Sequence, residues 1–249
     1  MISDPIFYLF SIPAVLIFGI SKGGFGGNIA VISVLLMTFI MSPTQAAAIL
    51  LPILCVMDLF VVWTYRGMYD PLSLKILLPG AMAGILIGYL TVDLLDDDAM
   101  RIIIGVISLV FCLNAWLKWP PGAGQKHNRA SGTLLGTASG FISFSIHAGG
   151  LPFSIYLLPK RIEPLLFAGT AGIFFAVVNY VKLIPYYHLG QLTTDNLWLS
   201  LTLMPLAPIG VKVGHYLVKR INTKLFYQIA YFFLFAVGVK LLFEGLGIL

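Results

Sequence analysis

Residues 19–37 read GISKGGFGGNIAVISVLLM, an apolar run interrupted by Lys22 and by glycines at 23, 24, 26 and 27. A second interruption of the same kind, SFSIHAGG over 143–150, falls in the other half of the chain. The apolar segments around each are only about a dozen residues long, whereas a straight helix needs about 20 to cross a hydrocarbon core roughly 30 Å thick. Irregular backbone at that depth survives only where protein covers it or where it lines a watery cavity. Each stretch therefore predicts a short broken or re-entrant helix pair inside a membrane bundle.

The rest of the chain supplies that bundle. It is 59% hydrophobic and 10% charged, with a mean hydropathy of +0.97, against roughly 45–50% apolar and ~25% charged for a soluble domain. Ten apolar segments are predicted, at about 5–21, 28–41, 45–65, 72–92, 99–117, 132–147, 149–159, 165–187, 195–217 and 225–247. The expectation is an all-α, polytopic membrane protein forming one transmembrane domain over 1–249, with membrane lipid as its solvent. The first run lacks a basic n-region, so no cleavable signal peptide is expected. The net charge of +5 resides mostly in short loops, where it reports topology and argues against nucleic acid as a partner. Cys55 and Cys112 lie in apolar runs, where thiols act as small hydrophobes; neither a disulfide framework nor a metal site is implied.

The segments divide into two halves, 1–118 and 132–249, joined by a polar, Pro/Gly-rich linker over 119–131. Gly26 and Gly27 match Gly149 and Gly150. Pro79, Gly84 and Gly88 have the spacing of Pro205, Gly210 and Gly214. Charge bias then sets orientation. The loop with Arg66 and Lys75 corresponds to 186–196, which has neither Lys nor Arg; the acidic loop with Asp93, Asp96, Asp97 and Asp98 corresponds to Lys219, Arg220 and Lys224. Opposite bias in equivalent loops predicts two inverted repeats, each a short helix pair plus about three full spanning helices, with both termini outside.

Inverted copies of one bundle can rock about a site at their interface. The candidate substrate-binding residues are Lys22, Gly23, Gly24, Gly26, Gly27 and Asn28 in the first half, and Ser143, Ser145, His147, Gly149, Gly150 and Asn179 in the second. Each glycine stretch is expected to open a short helix, whose unpaired N–H groups and positive dipole end suit an anion. The plainer reading is that these glycines serve tight turns and close helix packing, and that His147 is a hydrogen-bonded core histidine. Asp58 is the sole carboxylate deep in an apolar run, which makes it a coupling candidate or a counter-ion for a nearby Lys or Arg. Lys182 is a second coupling or gating candidate, set against snorkelling to the outer surface. The Gly80-Gly84-Gly88 and Gly132-Gly136-Gly140 rows read as packing faces, with a homo-oligomer interface as the lesser alternative. Lys240 and Glu244 read as an i,i+4 pair.

At these residues the sequence resembles the TauE/SafE family, also described as sulfite exporters or the toluene sulfonate uptake permease family. The resemblance is carried by GISKGGFGGNIAVISVLLM, by SPTQAAAILLPILCVMDL over 42–59, and by HAGGLPFSIYLLPKRIEPLLFAGTAGIFFAVVNYVKLIPYYHLGQL over 147–192. The first motif lacks the proline that often follows its glycines. The resemblance implies a duplicated permease or exporter of sulfite, sulfoacetate, sulfonates or related organic anions in a bacterial-type inner membrane. The function expected is therefore secondary transport of a small anionic substrate by alternating access, coupled to H+ or Na+ or uncoupled, without a cofactor and without enzymatic activity. An anion-selective channel and a carrier of a non-sulfur carboxylate are the alternatives. Cysteines introduced in the turns at 93–101 and 219–224 are expected to react with impermeant thiol reagents from opposite faces; labelling from one face would remove the inverted repeat.

Overall fold

A computed structural model describes residues 4–27, 30–91 and 127–248, with positions 102, 105, 106, 109, 112, 113 and 116. Asn28, the acidic loop with Asp93 to Asp98, and residues 119–126 of the linker lie outside the described residues. The described helices are α1 (Pro5–Gly24), α2 (Ala30–Thr38), α3 (Pro43–Thr64), α4 (Pro71–Leu90), α5 (Arg129–Ile146), α6 (Gly150–Leu157), α7 (Pro164–His188), α8 (Thr194–Leu203), α9 (Leu206–Arg220) and α10 (Thr223–Gly245). Helix is the form in which an apolar segment satisfies its own backbone in lipid. Polar side chains mark the starts: Asp4, Ser42, Asp70, Asn128, Thr193 and Asn222 each accept an N–H of the first turn. Prolines stand at the first turn of α1, α3, α4 and α7, where their missing N–H costs nothing.

Helices α1, α3, α4 and α7 are long and apolar enough to cross a bilayer, and the protein is a multi-pass membrane protein. The segment expected as one span over 195–217 departs from that expectation: it is two helices, α8 and α9, bent by 48°. The break is at Met204-Pro205, where proline has no N–H for the preceding turn. Pro79, Pro52 and Pro185 are accommodated inside continuous helices.

Both pairs fold back on themselves, although α1, at 20 residues, is longer than the dozen expected. The Phe39 ring lies 5.8 Å from that of Phe10, so α2 returns beside α1. A Cβ on Gly132 would meet the Tyr156 ring, so α6 returns beside α5. Left-handed residues make the turns: Gly26 and Gly27 after α1 (φ 63° and 84°), and His147 after α5 (φ 55°). The two tips touch, since a Cβ on Gly150 would lie 2.9 Å from the Gly27 carbonyl group.

Glycine lets the spans cross almost backbone to backbone. Along α4 and α5 the contacts climb together, Ile76 on Gly132, Leu77 on Gly136, Ala81 on Gly140 and Gly88 on Phe144, so these helices run parallel. Along α1 and α9 they do the same, from Gly19 on Gly210 to Gly24 on Gly214 and Val218. Helices α3 and α7 oppose each other, with Cys55 beside Tyr180, Asp58 beside Asn179, Val61 against Gly172 and Met68 against Gly169. The two glycine rows thus face each other within one chain. Gly105 packs against Gly238 and Leu242 of α10; Cys55 and Cys112 are buried and unbridged.

A Cβ on Gly84 would sit 2.0 Å from the Thr137 carbonyl oxygen, and backbone cannot step aside as a side chain can. Gly84→Ala is expected to destabilise by about 1–3 kcal/mol through overpacking. Ala83→Leu, on the exposed face of the same helix, should leave thermal unfolding in detergent unchanged; equal melting of the two variants would refute the close crossing.

Candidate functional site

The tip of the α1–α2 hairpin ends beside the middle of α3. Lys22 lies in the last turn of α1, where the helix dipole favours a cation. Its Nζ forms an ion pair with Asp58 and also approaches the Leu54 carbonyl at 3.4 Å. The other Asp58 oxygen accepts from Asn179 Nδ2 of α7 at 2.8 Å. Lys22 is 5% exposed and Asp58 is fully buried. Each charge alone at that depth would cost several kcal/mol, and together they hold α1, α3 and α7 at one point.

The tip of the α5–α6 hairpin carries a second cluster. Lys182 of α7 is 0% exposed and donates to the Ser143 carbonyl oxygen at 2.8 Å, to Ser143 Oγ at 3.1 Å and to His147 Nδ1 at 2.7 Å. His147 Nε2 faces the Ala47 carbonyl at 3.0 Å. A carbonyl can only accept, so Nε2 carries a hydrogen, and Nδ1 is left to accept from Lys182. Ser139 Oγ donates to the Gly149 carbonyl at 2.6 Å, fixing the turn from behind. Non-glycine residues rarely hold a left-handed φ, and His147 does so with both ring nitrogens engaged.

A small cavity between the two tips is lined by Lys22, Gly27, Ser143, His147, Gly150 and Asn179 on its polar side, and by Phe18, Ala30, Leu54 and Phe175 on its apolar side. In this closed arrangement it has room for about one water molecule. Backbone turns, the Ser143 hydroxyl, the Asn179 amide and one buried ion pair meet here, a setting that can receive a small anion and leaves no exposed counter-charge.

The expected residues are mostly brought together. Lys22, Asp58, Asn179, Ser143, His147, Gly27 and Gly150 meet at the cavity or its first neighbours. Three differ from expectation. Lys22, Gly23 and Gly24 close α1, and Ser143 and Ser145 close α5, so the donors come from helix ends rather than helix starts. Ser145 is exposed and bonds back to the Phe141 carbonyl at 3.2 Å, away from the cavity. Lys182 does not snorkel; it turns inward to Ser143 and His147. Lys240 does pair with Glu244.

Two tyrosines escaped the sequence reading. Tyr65, after α3, donates to the Gly23 carbonyl, and Tyr186, late in α7, donates to the Phe144 carbonyl at 2.8 Å. Each spans 42 positions. Asp58 and Asn179 are 121 positions apart, and the same offset relates Gly19 to Gly140, Gly26 to His147, Pro43 to Pro164 and Tyr65 to Tyr186. That offset, which differs from the one pairing Gly26 with Gly149 and from the one pairing Pro79 with Pro205, is the signal that would have found them. Elsewhere, Asp70, Ser73 and His127 meet where α4 begins, and Lys160 lies 4.0 Å over the Tyr156 ring. Burial pulls the Lys160 ammonium below its ordinary value while Asp70 opposes this.

Comparison with curated proteins and with solved structures gives no match. A family model does match, that of the sulfite exporter TauE/SafE, over residues 11–241. That span takes in both hairpin tips, the two buried lysine clusters and the α1–α9, α3–α7 and α4–α5 crossings, and the chain belongs to the TauE/SafE sulfite exporter family.

Proposed function

We propose that the protein is a secondary transporter of a sulfur-containing or other organic anion, such as sulfite, sulfoacetate or a sulfonate, working by alternating access in a bacterial-type inner membrane. The observation that carries this reading is the cavity where two hairpin tips meet, with Lys22, Ser143, His147 and Asn179 around it. Family membership supports a transporter of a small anion. The antiparallel run of α3 and α7, with Asp58 touching its offset partner Asn179, supports two inverted repeats related by an axis through that contact. Residues related by a two-fold axis can touch only near the axis, which supports a cavity at the centre of rocking. With basic loops inside, both termini lie outside, and each hairpin enters and leaves on one side.

The tyrosines then act as gates. Tyr65 stands at the inner end of α3 and ties the first hairpin tip; Tyr186 stands toward the outer end of α7 and ties the second. Both bonds are formed in this closed arrangement, and opening toward one face breaks one of them. Asp58 and Lys182 hold the charges that gating must keep satisfied, with H+ or Na+ as the coupling ion.

In proteoliposomes loaded with unlabelled sulfite or a sulfonate, counterflow of the labelled anion is expected, and passive conductance without exchange would replace the carrier by a channel. His147→Gly, which keeps the left-handed turn at no steric cost, should abolish ligand-induced thermal stabilisation while the fold persists.

The gates have their own test, with a cysteine at Ala30 in the cavity wall as reporter. Tyr186→Phe is expected to raise its labelling from the outer face and Tyr65→Phe from the inner face, each about fivefold for a hydrogen bond worth about 1 kcal/mol. The same face responding to both variants would remove the gating assignment.

A further inference from the structure

We infer that the closed site is built to receive a single negative charge, so that a monoanion binds as it is and a dianion binds only together with a proton. The inference rests on the cavity being the anion site. Lys22 and Asp58 cancel, and both Asp58 oxygens are occupied, one by Lys22 and one by Asn179. Lys182 is different: its three acceptors are the Ser143 carbonyl, Ser143 Oγ and His147 Nδ1, none of which carries a negative charge.

The titratable groups that face it are Lys22 from α1, Cys55 and Asp58 from α3, His147 at the end of α5, and Tyr186 of α7, whose ring stacks on His147 at 6.1 Å. Among the described residues one carboxylate thus serves two buried lysines. With one proton held between Lys182 and His147, their hydrogen-bonded pair carries one positive charge, and the empty closed site carries it uncompensated. Buried charge without a counter-charge is costly in a low-dielectric interior. Ser143 and His147 line the cavity and are the residues that Lys182 bonds, so an anion in the cavity lies next to that charge.

One negative charge makes the closed unit neutral, whereas two would leave it negative. A dianion can be balanced by a proton taken up on Asp58, which frees Lys22 to contribute a second positive charge. The consequence for transport is exchange: a site loaded with a monoanion reorients as a neutral unit, and an empty site has to carry its bare charge across. Exchange is therefore faster than net movement of the empty carrier.

Two anions of similar size separate the cases, methanesulfonate with a fixed single charge and sulfate with a fixed double charge, titrated into the purified full chain and followed by thermal shift. Methanesulfonate affinity is expected to be the same within about twofold at pH 6 and pH 8, whereas sulfate affinity should weaken about tenfold for each unit of rising pH, as uptake of one proton requires. Sulfate binding that matches methanesulfonate at pH 8 and ignores pH would overturn the inference and leave the transporter reading standing. No response to any organic or sulfur anion would sink both. Lys182→Gln gives a readout that a packing role would not move. Wild-type protein should prefer methanesulfonate over the neutral isostere dimethyl sulfone by at least tenfold, Lys182→Gln should lose that preference, and Lys182→Arg should keep it; a preference retained in Lys182→Gln counts against the proposal.

Discussion

A lysine ammonium that ends a helix inside a membrane bundle has to find its counter-charge there, and in this protein Lys22 finds it on Asp58. Removing one partner of such a buried pair costs about 3–5 kcal/mol, because the survivor stays in the interior unpaired. That cost turns a pairwise contact into a geometric constraint. Lys22 fixes the tip of the first hairpin against the middle of α3, and Asn179, bonded to the same carboxylate, fixes α3 against α7. Three elements from both halves of the chain are held at one depth by a single side chain.

The hairpins can reach that depth because glycine removes the bulk that would keep them apart. Gly23 crosses Val211, Gly140 crosses Ala81 and Gly84 crosses Thr137, each with no space for a Cβ. Lipid tails are as apolar as leucine, so close van der Waals contact and buried polar bonds hold such crossings together. The first hairpin leans on α9 of the second half, and the second hairpin leans on α4 of the first. Neither half can place its own tip without the other, which joins the folding of the bundle to the assembly of the cavity.

Much of this was legible in residue order. The glycine runs Gly23 to Gly27 and Gly149 to Gly150 announced where the chain turns back; the length argument fits α2 and α6, whereas α1, at 20 residues, is long enough to cross. Asp58 stood out because a carboxylate is expensive there, and the facing glycine rows followed from small residues four apart. What stayed hidden depends on direction in space. A lysine near a helix end can reach water or turn inward with the same sequence around it, so the burial of Lys182 could not be read. Ser145 and Ser143 are two residues apart and point to different sides of α5, which an undivided list of donors ignores. Pro205 breaks its segment while Pro79, with the same glycine spacing after it, sits inside a continuous helix. Tyr65 and Tyr186 carry no mark in residue order, and only their equal 42-residue reach shows the same bond made twice.

The proposed repeats are alike where motion needs them alike and different where charge is concerned. At the 121-residue offset, proline starts both long helices and tyrosine ties both tips. The same offset sets Asp58 against Asn179, Gly26 against His147, Lys22 against Ser143 and Val61 against Lys182. In the first half the lysine is on the hairpin and reaches the long helix; in the second it is on the long helix and reaches the hairpin. Two identical copies would have put matched charges across the axis, either two carboxylates repelling each other or two ion pairs with nothing left for a ligand. Replacing one aspartate by asparagine keeps the hydrogen bond across the axis, since the amide donates to the remaining carboxylate, and withdraws one negative charge. A scaffold that is symmetric in backbone can then present the same excess positive charge to an anion from either side of the membrane.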